Sequence, residues 1–237
     1  MKLNKPVKSN GFTLIETMVV IAIIILLAVI TIQVTSRLLQ NSKNSVSISN
    51  LRSIGVGLQI VVSENNGTYP YGIANYYAKT WWDDVAATQG RSTSWGEKAG
   101  EAMQSPLRSI KRKGGYPTYG GNPFILVDGP NGARVPPLAT QIKRPEQVII
   151  VTDATQKGSE GDWGEAADMV LYGIPGLDWG QNSARAEGAI GTGNNTDTGL
   201  ASIRYRSKDH ANCLFVDGAV RAMKRGTILQ KNFAIEY

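Results

Sequence analysis

The chain has one cysteine, Cys213, and one histidine, His210, in 237 residues. A single thiol closes no intrachain disulfide, so an exported domain must be held by core packing, by neighbours or by metal. A single imidazole excludes a multi-histidine metal site. Charge is also sparse, at 19% of residues against 42% hydrophobic, a balance that argues against a disordered chain. The net charge of +6 includes Lys2, Lys5 and Lys8, and without those three it is +3. That is too small to imply nucleic-acid binding. The sequence has no P-loop, nucleophile elbow, Cys/His cluster or internal repeat, so no enzymatic activity is expected.

Neither glycine nor proline occurs from Phe12 to Ile54. Within that stretch Phe12–Val34 is apolar on all faces, with Glu16 as its one charged residue. At 1.5 Å per residue it reaches roughly 34 Å, enough for a bilayer core of about 30 Å. The run is too long for the apolar part of a secretory signal peptide, and no small-x-small site follows it. The three lysines before it, set against Arg37 and Lys43 after it, predict a cytoplasmic N-terminus and an exported remainder.

A carboxylate inside hydrocarbon is costly and normally has a partner or a function. Here Glu16 closes Gly11-Phe12-Thr13-Leu14-Ile15-Glu16, behind a short basic leader. This segment resembles the type III signal of type IV prepilins and pseudopilins. The resemblance implies that a prepilin peptidase/methyltransferase cuts between Gly11 and Phe12 and methylates the new Phe12 amine. Gly11 lets the backbone lie extended in a narrow cleft. Glu16 is then expected to pair with the Phe12 amine of a neighbouring subunit, a pairing that favours assembly over isolation in lipid.

Beyond the membrane, Leu51, Ile54, Leu58, Val61 and Val62 recur at three- and four-residue steps and predict a continued amphipathic helix. Asn65-Asn66-Gly67-Thr68-Tyr69-Pro70 ends it. Gly55 and Gly57 mark an expected weak point. The resulting division is a leader over 1–11, a membrane helix over 12–34, its periplasmic continuation over 35–66 and a loop-rich globular domain over 67–237.

In that domain Trp81-Trp82-Asp83-Asp84 predicts a short helix, and a second is expected over Gly96–Met103. Lys111-Arg112-Lys113-Gly114-Gly115 reads as a solvated basic turn. Glu146–Asp153 and Ile203–Arg206 read as strands, separated by a loop-rich insertion over Thr155–Gly199. Two strand-like runs flank Asp217-Gly218, a pair that predicts a two-residue type I′ hairpin turn. Cys213, in the first run, reads as a small buried residue. Asp209 and His210 are adjacent, and successive strand residues face opposite ways, so they do not read as a base and its orienter. The run from His210 through Asn212, Leu214 and Phe215 to Asp217-Gly218 resembles a C-terminal motif of prepilin-like proteins abundant in planctomycetes. Only six residues separate His210 from Asp217, fewer than is common there.

The resemblance implies a pilin-like α+β fold, with the long N-terminal helix packed on a small antiparallel sheet. It also implies a single-pass protein of the bacterial inner membrane with a periplasmic globular domain. Subunits would polymerise with other pilin-like subunits, driven by an assembly ATPase and an inner-membrane platform protein, into a filament for type II secretion. A minor pilin of a surface type IV pilus is the nearest alternative. One cysteine cannot form the C-terminal disulfide loop of many major pilins, and the proline common about twenty residues into their helix is missing. From another class, a membrane-tethered glycan-binding module would read sugars through Trp81, Trp82, Trp95, Trp163 and Trp179. No cofactor is expected, though similar major pseudopilins bind calcium in a C-terminal loop. Oxygen ligands here could come from Asp128, Asn131, Asp162, Asp168, Asn194, Asn195 and Asp197, none at EF-hand spacing.

Overall fold

The structure is a computed structural model. It describes residues 12–74, 79–91, 103–107, 118–129, 134–154, 156–157, 166–167, 171, 174–181, 183–191 and 202–236. The expected helix over Gly96–Met103 lies almost wholly outside them, and the basic turn over Lys111–Gly115 wholly so. The chain divides into two compact units, Met1–Ser42 and Lys43–Tyr237.

In the first unit, helix α1 (Leu14–Glu64) begins. Its large apolar side chains, from Leu14 to Leu39, are exposed. Thr17, Thr31 and Thr35 donate their hydroxyls to the carbonyls of Leu14, Leu27 and Thr31, at 2.7–2.8 Å. Those polar groups are therefore satisfied within the helix and do not interrupt its apolar surface.

In the second unit, α1 buries one face. Leu51, Ile54 and Leu58 are at most 2% exposed, each contributing about 2 kcal/mol by burial. The helix stops where Asn66 and Gly67 take φ of 53° and 84°, and the Gly67 N–H returns to the Val62 carbonyl at 2.8 Å. This is a left-handed C-terminal cap of Schellman type. The short strands β1 (Ile73–Ala74) and β2 (Lys79–Thr80) pair antiparallel. Helix α2 (Trp81–Thr88) follows directly, and the Asp83 carboxylate accepts from the N–H and hydroxyl of Thr80 at 2.7 and 2.8 Å.

The main sheet contains β3 (Tyr119–Gly121) and β4 (Ile149–Asp153), while β5 (Gln156–Lys157) and β6 (Ala166–Ala167) form a separate pair. With β7 (His210–Phe215) and β8 (Val220–Lys224), the main sheet runs β3-β4-β7-β8, antiparallel throughout. One extra residue in β4, between Ile149 and Val151, breaks the strict alternation. Ile150 and Val151 both join the cluster under α1, with Leu214, Tyr119 and Trp81. Ile149, Ala211, Cys213 and Phe215 join a second cluster. The long-helix and antiparallel-sheet architecture is the expected α+β one.

Four local expectations differ. Gly55 and Gly57 are not a weak point, because α1 passes through them unbroken and both are buried. A Cβ on Gly55 would lie 3.1 Å from Leu214 Cδ1, and one on Gly57 would lie 2.7 Å from Val85 Cγ1. The glycines permit close approach to β7 and α2. Strand β4 starts at Ile149, because Glu146 and Gln147 form a turn in which the Gln147 N–H reaches the Arg144 carbonyl. Among the described residues Ile203–Arg206 makes no extended ladder, and its one backbone bridge to the sheet region joins Ala154 to Ile203.

The fourth difference concerns turn type. A type I′ turn needs φ > 0 at both central residues. Asp217 is not in that region, while Gly218 has φ 85°. The Gly218 N–H bonds the Phe215 carbonyl, and the Phe215 N–H bonds the Ala219 carbonyl, at 2.9 and 2.8 Å. The loop is therefore three residues, Val216-Asp217-Gly218, with Gly218 as the left-handed bulge residue. The primed turn lies at the other end of β7. Lys208 and Asp209 have φ of 47° and 66°, and Ser207 and His210 exchange both backbone hydrogen bonds.

Candidate functional site: the N-terminal segment

Phe12 and Thr13 precede the first turn of α1, and Gly11 lies outside the described residues. Thr13 occupies the N-cap position and Glu16 the third helical position. The Glu16 carboxylate accepts from the Thr13 N–H at 2.8 Å and from its hydroxyl at 2.7 Å. In return the Glu16 N–H donates to Thr13 Oγ1 at 3.3 Å. This is a capping box, Thr-x-x-Glu, which satisfies two helix-end donors and places a negative charge at the positive end of the helix dipole. Sequence reasoning read Glu16 only as a charge awaiting a partner and overlooked Thr13, although their three-residue spacing carried the signal.

Around this polar terminus the large side chains are apolar and exposed. Phe12 is 84% exposed, and Leu14, Ile15 and Met18 are 62–78% exposed. An 18-residue window of α1 has mean hydropathy 2.9 with none of it buried. Such a surface demands lipid or other apolar helices. Among the described residues no three His, Cys, Asp or Glu side chains gather as metal ligands. Six of the seven candidate calcium ligands fall outside those residues, leaving Asp128, whose backbone bridges Ile73.

The other candidate residues lie in the second unit. Asp217 Oδ1 accepts from the Ala219 N–H at 2.9 Å, and its Oδ2 meets Arg221 at 3.0 Å, so its carboxylate braces the hairpin. His210 Nδ1 lies 2.8 Å from the Lys208 carbonyl, while Asp209 pairs with Arg225 at 2.7 Å. The two are thus engaged apart. Cys213 is fully buried beside Thr152, and burial pushes its thiol up to about 12. Trp81 and Trp82 are core residues, Trp179 is 43% exposed, and Trp95 and Trp163 lie outside the described residues. A glycan platform built on Trp81 and Trp82 is therefore excluded.

Sequence reasoning also missed a buried polar cluster between α1 and the sheet. Asp153 is 0% exposed and lies 3.6 Å from Arg206, and its Oδ2 accepts from the Asn212 N–H at 3.0 Å. The Asn212 amide donates to Asn44 and Ser47 of α1 at 2.9 and 3.3 Å, and Ser47 Oγ lies 3.0 Å from the Tyr119 hydroxyl. Burial pushes the Asp153 carboxyl up to about 6, against the opposing pull of Arg206 and the Asn212 N–H. The cluster ties the helix to β4 and β7 by directional bonds. It holds no nucleophile placed beside a base.

No curated protein and no solved structure matches the chain significantly. Residues 7–32, which contain the Thr13–Glu16 box and most of the apolar run, match the family model described as the prokaryotic N-terminal methylation motif. The chain thus carries a prepilin-type N-terminal signal at residues 7–32.

Proposed function

We propose that the chain is a pseudopilin, a structural subunit that polymerises through its N-terminal helix into a periplasmic filament for type II protein secretion. The observation that carries this reading is the methylation signal at residues 7–32, leading into an apolar helix surface that has no partner. In this scheme the prepilin peptidase cuts after Gly11 and methylates Phe12. The helix anchors the chain in the inner membrane with the globular unit in the periplasm. The assembly ATPase and platform protein drive subunit addition. The lone, buried Cys213 supports the pseudopilin over a disulfide-looped major pilin.

Glu16 provides the test, because its two roles separate by substitution. A glutamine retains a side chain able to complete the capping box but carries no charge. Alanine loses both. Neither change should prevent insertion, since one charge at a helix centre costs at most about 3 kcal/mol on insertion scales, and less near the interface. Glu16→Gln and Glu16→Ala should both remain membrane-bound and be cut after Gly11, yet fail to form filaments. Glu16→Asp should be intermediate, retaining the charge with shorter reach. Fractionation, N-terminal mapping and filament cross-linking on the same strains decide the matter. Normal filaments from Glu16→Gln would refute the charge-pairing account.

A further inference from the structure

An open cleft of about 860 Å³ lies in the globular unit, outside everything used above. Its lining includes the segment 134–138 together with Trp179 and Gln181. The Arg134 guanidinium lies 5.4 Å from the Phe124 ring centroid and 5.6 Å from that of Trp179, and it donates to the Trp179 carbonyl at 3.2 Å. Phe124 and Trp179 meet edge to face at 5.6 Å. These contacts fix an exposed indole beside a positive charge. Val135 is 75% exposed and Leu138 41% exposed, which adds apolar rim.

The polar side chains of the lining are Thr68, Arg134, Gln141, Lys143, Gln181 and Glu236, of which Arg134 and Lys143 are donors only. Gln141 Oε1 is taken by the Leu138 N–H and Gln181 Oε1 by the Ile235 N–H, each at 2.7 Å. Each amide keeps its Nε2 group to donate and a second Oε1 lone pair to accept. Lys143 lines the cleft, is exposed and makes no ion pair among the described residues. Among the described residues Glu236 is the only carboxylate in the lining, against the cations Arg134 and Lys143. Carboxylates and main-chain carbonyls are acceptors only, and they match this lining. The exposed Trp179, Leu138 and Val135 match apolar side chains set between the acidic ones.

We propose that this cleft binds an extended acidic peptide segment. Arg134 and Lys143 meet its carboxylates, the two glutamine amides meet its carbonyls, and Trp179 packs on an apolar side chain. The site stands on the globular unit alone and does not depend on polymerisation.

The test uses the full chain in neutral phosphatidylcholine nanodiscs and a fluorescein-labelled peptide, Leu-Glu-Leu-Glu-Leu-Glu, read by anisotropy. Saturable binding is expected, at least about tenfold tighter than for the Leu-Lys counterpart and weakening with added salt. Trp179→Ala and Lys143→Glu should each weaken it at least about fivefold, an ordinary loss for an anchor residue at an interface. Both positions are exposed, so folding should survive, as intrinsic fluorescence and thermal unfolding will show. Lys224→Glu on β8, away from the cleft, should leave binding unchanged. Three results would each overturn the proposal. They are no saturable binding of the acidic peptide, binding indifferent to both cleft variants, or cleft-dependent binding of oligogalacturonate in preference to the peptide.

Discussion

Gly57→Ala should destabilise the globular unit, against the rule for helices. In an ordinary helix interior, alanine is favoured over glycine by about 1 kcal/mol. At Gly57 the new Cβ would stand 2.7 Å from Val85 Cγ1 and 3.1 Å from Thr88 Oγ1. Val85 is fully buried on α2, and a β-branched side chain in a helix has essentially one χ1 rotamer, so it cannot turn away. Overpacking of this kind costs about 1–3 kcal/mol, leaving a net loss of roughly 0–2 kcal/mol. Gly55→Ala meets a softer neighbour, the Leu214 Cδ1 methyl at 3.1 Å, which can yield a few tenths of an ångström. It should gain most of the propensity term. The two variants should therefore differ by about 1–3 kcal/mol, which at about 2 kcal/mol per M is roughly 0.5–1.5 M in urea midpoint. The assay is urea unfolding of the full chain in detergent, read by tryptophan fluorescence, since Trp81 and Trp82 sit on α2 beside Val85. In a double-mutant cycle, Val85→Ala should cost at least about 1 kcal/mol less in the Gly57→Ala background. If Gly57→Ala raises the midpoint as much as Gly55→Ala does, the close contact between α1 and α2 does not limit packing and the reasoning fails.

Gly11→Val should leave the precursor intact from Met1, whereas mass spectrometry of the wild-type protein from assembled material should begin at methylated Phe12. Gly218→Val forces a β-branched residue to φ 85° and should cost about 1–3 kcal/mol, lowering Tm by several degrees in thermal unfolding. Gly218→Asn should cost less. Burial raises the Asp153 carboxyl from its ordinary 3.8 to about 6, so the folded state holds this proton more tightly than the unfolded one. Its contribution is therefore full below about pH 4 and lost as pH rises through 6. Urea midpoints from pH 4 to 7 should carry this falling component in wild type and lack it in Asp153→Asn, and equal slopes would refute the assignment. Cys213, with its thiol pushed up to about 12, should resist a disulfide reagent at pH 8 until urea unfolds the domain.

What the sequence disclosed and concealed follows from the range of the interactions. The long helix was legible because Leu51, Ile54 and Leu58 repeat at helical spacing, and α2 because Asp83 and Asp84 follow Trp81-Trp82 as a first-turn signal. The second core cluster was not. Its members Leu171, Ile174, Ile190, Ile228 and Phe233 come from segments without period 2 or 3.6 and meet only in three dimensions. Gly55 and Gly57 were visible, but nothing nearby in sequence names Leu214 or Val85 as the neighbours that require them. The Asp153 cluster was hidden for the same reason, since Asp153 and Asn212 are far along the chain from Asn44 and Ser47 and from each other.

The two turns around β7 show the same dependence. Asp217-Gly218 fits a two-residue loop and a three-residue loop equally well, because glycine serves at a positive-φ position in either. Loop length is decided by which residues pair across β7 and β8. Leu214 faces Val220, and the next hydrogen bond joins Phe215 to Ala219, which leaves three residues outside the ladder. That register in turn follows from the cores. Ala211, Cys213 and Phe215 enter one cluster while Leu214 enters the other. A slip of one residue would exchange the two sets of side chains and bury the wrong ones. The same constraint brings Lys208 and Asp209 to positive φ at the other end of the strand, although neither is glycine or asparagine. Burying β7 on both faces fixes where it must begin and end, and the turn residues adopt whatever backbone closes it.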